Sequence, residues 1–457
     1  MNTIVLSAIL GVVMMYSGII IKNKAAHKYV AAGGLLVLLA FNIADTYGYP
    51  LFNINTTNFL SFGKFGLLFN SICIFCTLVY VLISGRDIDR LGRFTAEAFA
   101  LIFFILCGVG IVTSYTNMLM LFIGIEIISI PLYILTGFDK LNLKSNEASL
   151  KYFLMGSFST GIMLMGIALM YGASGTFLLE NPVRATGLTY LDAMGLLLLF
   201  VAMLFKVSAA PFHFWTPDVY DGAPTVFTSF MATVVKVAIF AGFIRLMESK
   251  LQGMGSQTDR IVGVVIILTL AFGNLTAVFQ QSVKRMLAYS SIAQAGFMLF
   301  ALYAVNDAAK EGLLLYAAAY SLATIGIFAV LTKMDDHTYE GFNGLSKTHP
   351  MIAGVLAVFL LSLAGIPLTA GFFAKYFMLA AVVKGGGAIG LVIVGVLFAA
   401  VSVYYYFKVI QAMYFKEGEP VFAYQPSTQF KYGLMAIAAL IVLLGIYPDA
   451  LLQFLYF

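Results

Sequence analysis

Apolar runs of about 20 residues recur along this chain and constrain its fold more than any other feature. A run of this length crosses the hydrocarbon core of a bilayer as a helix. The runs lack the alternation of barrel strands, and an open strand cannot leave its backbone groups facing lipid. The chain is 61% hydrophobic and only 10% charged. The sequence therefore predicts an all-α polytopic membrane protein.

Polar breaks between the runs predict about fourteen spanning helices in one transmembrane domain. The first run follows no basic segment and precedes no small-residue cleavage site, so it predicts a retained helix and not a signal peptide. The predicted spans are 3–21, 29–45, 65–84, 95–114, 117–137, 147–173, 190–214, 226–247, 260–280, 287–305, 311–332, 351–383, 387–415 and 432–455.

The basic residues of the loops predict an orientation. If the loop after the first helix is cytoplasmic, that side collects most loop Lys and Arg residues, Arg93 among them. The opposite side keeps a few, such as Arg184. An excess of Lys and Arg marks the cytoplasmic side of a membrane protein. We therefore expect both termini on the outer, periplasmic side. The sequence contains no dense basic tract, so a nucleic-acid partner is not expected.

Cysteine and histidine usage predicts no metal or redox cofactor in this chain. Cys73 and Cys76 have CxxC spacing, but no second thiol pair or nearby histidine completes a metal site. The three cysteines, which include Cys107, are interpreted as buried small hydrophobic residues. The four histidines fall in or near loops and do not form an axial haem pair.

Four ionisable residues lie deep inside apolar runs: Glu126, Lys206, Lys236 and Lys375. A charged side chain at a helix centre costs about 2.5–3.5 kcal/mol on the insertion scale. Such residues are candidates for an ion pathway, and a row of three lysines without a matching number of acids is a poor structural glue.

Glu126 needs a partner, and the sequence offers Lys151 in the sixth helix and Lys206 in the seventh. Burial lowers the pKa of a lysine, whereas a carboxylate within about 4–6 Å raises it. A lysine between these influences gains or loses its proton when the carboxylate moves slightly. The alternative interpretation is a static buried salt bridge.

Pro211 and Pro367 interrupt two apolar helices, each of which carries a deep lysine. Helix breaks persist in membranes where protein or water satisfies the freed backbone groups. Paired breaks in two halves of a chain are typical of inverted-repeat transporters, although proline kinks are also common in membrane helices. His213 follows the first break, where it bonds freed carbonyls or relays protons. Lys408, near the inner end of the thirteenth helix, is predicted to extend to the interface.

Four segments resemble the antiporter-like subunits of respiratory complex I, and most closely subunit N of bacterial NADH–quinone oxidoreductase. They are Glu147–Thr176, Phe205–Phe240, Val283–Met298 and Leu363–Phe377. The phrase PFHFWTPDVYDGAP within the second segment is the most specific. The resemblance runs from about the fourth helix to the thirteenth. It implies two inverted five-helix repeats, 94–250 and 257–416, between N-terminal helices in 1–93 and a C-terminal helix in 430–457, with the seventh and twelfth helices broken.

The resemblance also implies one proton channel in the membrane arm, driven by quinone reduction elsewhere in the complex. By motif, Glu126 matches the modulating glutamate, Lys151 the lysine of the sixth helix, and Lys206 the channel lysine. Lys236 matches the central connecting lysine, and Lys375 the lysine that passes the proton outward. The expected partners are the lipid bilayer, protons and other membrane-arm subunits in a bacterial inner membrane. NADH and quinone are partners only through the whole complex.

Gln294 stands where many relatives have a histidine, so a titrating relay at that position is not expected here. Glutamine can hold a water chain but cannot titrate. Three alternatives to the complex I function are a subunit of a multi-subunit cation/proton antiporter, a free-standing solute transporter and a non-pumping scaffold. The motif details favour the complex I function over the antiporter subunit. No polar cluster resembles a solute site, and a scaffold does not explain the deep lysines.

Overall fold

The computed structural model describes residues 1–52, 54–92, 94–179, 189–251 and 256–455. Within these ranges, 12 helices are long and apolar enough to cross a membrane. Two further spans consist of paired shorter helices, so the predicted count of about fourteen is confirmed. Arg93 and Arg184, which contribute to the predicted orientation, lie outside the described residues.

The spanning elements are labelled α1 to α14, and the two arms of a broken helix are labelled a and b. Their bounds are α1 Asn2–Ile20, α2 Lys24–Thr46, α3 Lys64–Leu91, α4 Thr95–Val112, α5 Met118–Thr136, α6 Leu143–Ser174, α7a Tyr190–Lys206, α7b Trp215–Gly222, α8 Thr225–Ser249, α9 Ser256–Val278, α10 Val283–Ala304, α11 Asp307–Leu331, α12a Pro350–Ala364, α12b Ala370–Lys384, α13 Ile389–Phe415 and α14 Thr428–Ile446.

Four details differ from the predicted spans. α3 continues to Leu91 and the seventh span to Gly222, beyond the predicted ends at 84 and 214. The last span ends at Ile446, and a separate short helix, Asp449–Leu452, follows it after Pro448. α8 contains a π-helical turn, Met231–Val235, directly before Lys236. The periodicity of hydrophobic residues does not predict a π-turn. Such turns are frequent at functional sites.

The connecting loops alternate between two ends of the helix bundle. Met334, after α11, pairs with Phe422, after α13, so loops that follow odd-numbered helices meet at one end, the odd-loop end. Leu60, after α2, pairs with Tyr115, after α4, at the opposite, even-loop end. This alternation is what fourteen crossings require. Which end faces the cytoplasm stays a prediction from the basic residues.

α8 and α11 form the centre of the bundle. The most apolar window of each helix is 100% buried, whereas the corresponding windows of α1, α2 and α13 are only 28% buried. Large apolar side chains on the outer helices face outward, as a lipid solvent or a protein partner allows. Lys236 on α8 is therefore placed in the middle of the protein.

Both predicted helix breaks are present. At the α7 break, the Phe205 carbonyl accepts a hydrogen bond from Trp215 Nε1 at 3.2 Å. The Ala210 amide donates to Thr269 Oγ1 of α9 at 3.0 Å. At the α12 break, Gly365 has a φ of +86°, a left-handed conformation that glycine adopts without strain. The protein thus satisfies part of the backbone that each break frees.

Candidate functional site

The first cluster joins α5, α6 and α7a through a threonine. Thr160 Oγ1 lies 2.8 Å from Glu126 Oε1 and accepts from Lys206 Nζ at 3.5 Å. The same hydroxyl can instead donate to the Gly156 carbonyl at 3.0 Å, and it has only one hydrogen. When the Thr160 hydroxyl donates to Glu126, it connects the carboxylate to the Lys206 ammonium. When it donates to the Gly156 carbonyl, its hydrogen bond to the carboxylate is lost.

Lys206 is buried at the end of α7a, where its Nζ donates to Ser129 Oγ at 3.0 Å. Within the described residues, Glu126 and Lys206 form no direct ion pair. The predicted association of Glu126 with a lysine is thus indirect, through Thr160, and Lys206 is the lysine concerned.

Lys151 lies apart from this cluster. Its exposed Nζ pairs with Glu147 at 2.7 Å, one turn earlier on α6, and with Asp218 of α7b at 3.1 Å. Arg285 reaches the other oxygen of Asp218 at 3.2 Å. The structure therefore separates Lys151 from Glu126, and its four-residue spacing from Glu147 is the pattern of an ordinary helical ion pair.

Lys236 follows the π-turn of α8 and is 2% exposed. Its Nζ donates to the Ser291 carbonyl at 3.1 Å and to Ser291 Oγ at 3.0 Å, both on α10. It also lies 5.6 Å from the centre of the Tyr220 ring. The ammonium is thus held by neutral oxygens and an aromatic face.

Lys375 closes the α12 break. Its Nζ donates to the Leu363 and Ala364 carbonyls, both at 2.9 Å. These are the last carbonyls of α12a, which have no partner inside their own helix. The Nζ also lies 4.7 Å from the centre of the Phe297 ring. The break and the lysine in the sequence therefore form one structural unit.

Gln294 connects Lys375 to the centre of the bundle. Its Nε2 donates to the Leu363 carbonyl at 3.0 Å and to the Tyr406 hydroxyl at 3.1 Å, and its Oε1 accepts from Tyr316. Tyr406 also bonds Ser290, the neighbour in α10 of the serine that holds Lys236. Tyr406 and Gln294 therefore join Ser290, which is adjacent in sequence to the serine that holds Lys236, to the carbonyl bound by Lys375.

Two other candidate relay residues are placed differently. His213 is buried in the α7 break, stacked on Phe214 at 4.5 Å, and its Nδ1 has no hydrogen-bond partner among the described residues. Lys408 lies over the Tyr339 ring, 4.2 Å from its centre, near the odd-loop end. Neither contacts the three buried lysines in the described part of the chain.

The site contains residues that sequence reasoning missed. Ser129, Thr160, Ser291 and Tyr406 hold or connect the charged groups. Tyr405 and Tyr406 are both fully buried and hydrogen-bonded. Ser, Thr and Tyr are ordinary in membrane helices, so nothing in the sequence sets these positions apart.

Hydroxyls and carbonyls that face buried ammonium groups can support proton transfer, because each contact accepts or passes a hydrogen. No group of three or more His, Cys, Asp and Glu side chains in the described ranges is arranged to hold a metal ion. The interrupted helices and buried lysines define an antiporter-like membrane protein.

Comparison with known proteins agrees with this class. The profile of the NADH:quinone oxidoreductase/Mrp antiporter transmembrane family matches residues 116–401. NADH-quinone oxidoreductase subunit N of Cytophaga hutchinsonii is 41% identical to this chain, over 99% of both chains. Subunit N of Flavobacterium psychrophilum is 38% identical over 100% of both chains. The chain belongs to the NADH:quinone oxidoreductase/Mrp antiporter family and, within it, to the subunit N group.

Solved structures share the fold. A chain of respiratory complex I from Thermus thermophilus with bound Aureothin is 32% identical and has a TM-score of 0.85, with 99% of this chain and 98% of that chain covered. A chain of the Mrp complex from Dietzia sp. DQ12-45-1b has a TM-score of 0.85 at 18% identity, with 99% and 95% covered. The second similarity concerns the fold alone.

Proposed function

We propose that this chain is a proton-translocating membrane-arm subunit of a complex I-type NADH–quinone oxidoreductase and has no redox centre of its own. The observation that carries this proposal is the hydrogen-bonded series Glu126–Thr160–Lys206 at an interrupted helix. Quinone reduction elsewhere in the complex supplies the driving force.

Control of the transfer lies at Lys206, whose partners are hydroxyls and not a fixed carboxylate. A change at Glu126 alters the relative free energy of the charged and neutral lysine, and about 1.4 kcal/mol corresponds to one pKa unit. The charge of Lys206 in turn controls proton uptake at Lys236. Ser290, Tyr406 and Gln294 lead from beside the Lys236 site to Lys375, which passes the proton outward.

Gln294 acts in this scheme by orientation. Its amide donates to Tyr406 and the Leu363 carbonyl and accepts from Tyr316, but it cannot itself be charged. A cavity of about 10 Å³ lined by Gln294 and Lys375 is of the size that holds roughly one water molecule. The proton therefore crosses this segment through hydroxyls and water.

The proposal includes the expected setting of the chain. The repeats 94–250 and 257–416 form the channel, and each has its break in the fourth of its five spans. The chain lies in a bacterial inner membrane with both termini periplasmic. Other membrane-arm subunits, including antiporter-like ones, cover part of the apolar outer surface.

The second candidate is a subunit of a multi-subunit cation/proton antiporter, which the similarity in fold to the Mrp chain supports. The two functions differ in their driving force. A complex I subunit translocates protons only during electron transfer, whereas an antiporter subunit exchanges protons for cations without it. The identity to subunit N relatives favours the first.

Lys206→Ala in native membranes tests the proposal. We expect NADH–quinone electron transfer and the proton gradient to fall together once native gels confirm assembly. The matched control is Lys310→Ala, which removes an ion pair with Glu248 at the even-loop end and leaves both activities intact. Normal electron transfer and pumping in Lys206→Ala contradict the proposal. Loss of the gradient alone means that the channel can be uncoupled from electron transfer.

Glu126→Gln tests the modulating role separately. It keeps the shape of the side chain but removes its charge, so we expect slower pumping by an assembled complex. Unchanged turnover and proton transport would remove Glu126 from the mechanism.

A further inference from the structure

The odd-loop end contains a polar cavity of about 310 Å³, here called the odd-loop vestibule. The ends of α3, α7b and α10 line it, together with loops after α5, α11 and α13. Charged and titratable side chains on its wall include Asp87, Arg90, Asp221, Lys284 and His337. Such a cavity can admit water and protons from the adjoining solvent.

Asp87 is a buried carboxylate in the vestibule wall. Its side chain is 3% exposed, and its Oδ1 pairs with Lys333 and, at 3.1 Å, with Arg90. Its Oδ2 is buried and has no hydrogen-bond partner in the part of the chain that the structure describes. Buried polar atoms are normally bonded, so the second oxygen of this cavity-lining residue keeps an unused acceptor position.

The surroundings of Asp87 are charged on several sides. Lys28 of α2 interacts electrostatically with Asp87 and Lys333. It also interacts with Arg86 and Asp89 of α3. Burial lowers the pKa of Lys333, and Asp87 opposes this effect. Asp87, which lines the vestibule, thus holds the charge that stabilises the Lys333 ammonium.

The loop after α13 covers the same pair. The Arg90 guanidinium lies 3.8 Å from the centre of the Tyr424 ring, and the Tyr424 amide donates to the Lys333 carbonyl at 3.3 Å. Arg90 thus contacts both the carboxylate and the loop. This arrangement fixes Asp87 at the boundary between the vestibule and the protein interior.

Buried hydroxyls lead inward from this boundary. Tyr80 lies seven residues before Asp87 on α3, on the same helical face, and its hydroxyl has no partner among the described residues. On α11, Thr324, Tyr320 and Tyr316 recur every fourth residue and are all buried.

The α11 hydroxyls end at the lysine network. Tyr320 lies beside Thr324 and beside Ser291, the serine that holds Lys236. Tyr316 donates to Gln294. One face of α11 therefore approaches both the Lys236 site and the path to Lys375.

We propose that Asp87 is the proton-uptake residue of this chain, resting on the proposed proton-translocating function. Its Oδ2 takes a proton from hydronium in the vestibule and releases it inward through Tyr80 and the hydroxyls of α11 to Lys236. Each transfer moves one proton and returns Asp87 to its anion. Asp87 lies outside residues 116–401, which match the family profile, so the assignment gives the N-terminal helices a role in uptake.

Asp87→Asn tests this assignment in inverted membrane vesicles that contain the whole complex. A protonophore is added so that the gradient does not limit turnover. We expect NADH–quinone turnover to fall roughly tenfold, because a positioned proton-transfer group contributes about 10²–10⁴-fold and other vestibule groups replace part of it. Formate, a small weak acid that enters the vestibule, should restore turnover in Asp87→Asn and leave the unsubstituted complex unchanged.

Three variants separate uptake from structure. Asp45→Asn removes a carboxylate that pairs with the N-terminal amine at 2.9 Å, and it should keep normal turnover. Asp87→Glu should keep most activity because it retains a carboxylate. The double variant Asp87→Asn, Lys333→Gln removes both charges, so it leaves no unpaired buried charge and remains informative if the single variant fails to assemble.

Normal turnover in the assembled double variant would overturn the proposal, as would a slow Asp87→Asn complex that formate does not restore. Failure of the proposed function itself gives a different result, because Lys206→Ala then also retains normal turnover and pumping. If Asp87→Asn has normal activity while Lys206→Ala is inactive, the uptake role of Asp87 is refuted and the proposed function is not.

Discussion

Thr160 connects Glu126 to Lys206, and Thr160→Val removes that connection while keeping the shape of the side chain. The hydroxyl lies 2.8 Å from the carboxylate, within the range of a charge-assisted hydrogen bond. The contact with Lys206 Nζ, at 3.5 Å, is the longer and weaker of the two. Lys206 keeps its bond to Ser129 at 3.0 Å, so the variant should still fold.

A hydrogen bond to a charged group contributes about 1.5–3 kcal/mol. Glu126 is only partly buried, so the lower figure applies. About 1.5 kcal/mol corresponds to roughly a tenfold change in an equilibrium or a rate. We therefore expect Thr160→Val to slow coupled turnover by about one order of magnitude.

The assay measures NADH–quinone turnover and acidification of inverted vesicles on the same preparation, after native gels establish assembly. Thr136→Val is the matched control, because Thr136 is a buried threonine of α5 that bonds the Leu132 carbonyl at 2.7 Å and no charged group. Thr160→Ser keeps the hydroxyl and should restore activity. Turnover in Thr160→Val equal to that of the control would show that Glu126 and Lys206 communicate by another route.

Three further outcomes test other parts of the site. Tyr406→Phe should slow pumping several-fold while exposed Tyr404→Phe does not, measured by vesicle acidification. Lys375→Met should lower the melting temperature of the purified complex, because two carbonyls at the α12 break lose their donor. Burial, with a contribution from Lys284, lowers the pKa of His337. The folded loop that contains His337 therefore favours the neutral form of the imidazole. Protection of 332–349 from hydrogen exchange should therefore hold above the ordinary histidine pKa of about 6.5 and fall as pH drops below it, and His337→Asn should abolish this pH dependence.

The helices could be predicted from the sequence because lipid imposes a simple requirement. A span needs about 20 apolar residues, and each predicted run corresponds to a span, although the third, seventh and last spans end at Leu91, Gly222 and Ile446 and not at 84, 214 and 455. Pro211 and Pro367 predicted the two breaks for an equally local reason, since proline removes a backbone donor wherever it lies. The π-turn before Lys236 depends on packing between helices and was not predictable in this way.

The partners of the charged groups were less accessible to sequence reasoning. Whether Thr160 or another hydroxyl of α6 reaches Glu126 depends on the rotation of that helix against α5. Lys151 shows the opposite case: its position within an apolar helix suggested a partner for Glu126, but Glu147 one turn away already supplied a surface pair. The spacing of residues along one helix can be read from the sequence, whereas contacts between helices depend on how the helices pack.

The lysine sites share a property that follows from these contacts. Within the described residues, Lys206, Lys236 and Lys375 contact hydroxyl, carbonyl and aromatic groups and form no direct ion pair with a carboxylate. A direct pair with a single carboxylate would hold these lysines in the ammonium form, because loss of the lysine proton leaves that carboxylate uncompensated. A hydroxyl can donate as well as accept, so Ser129 and Ser291 can bond either an ammonium or a neutral amine. Neutral partners therefore permit these lysines to change charge, and Thr160 places the Glu126 carboxylate under the control of a single hydrogen.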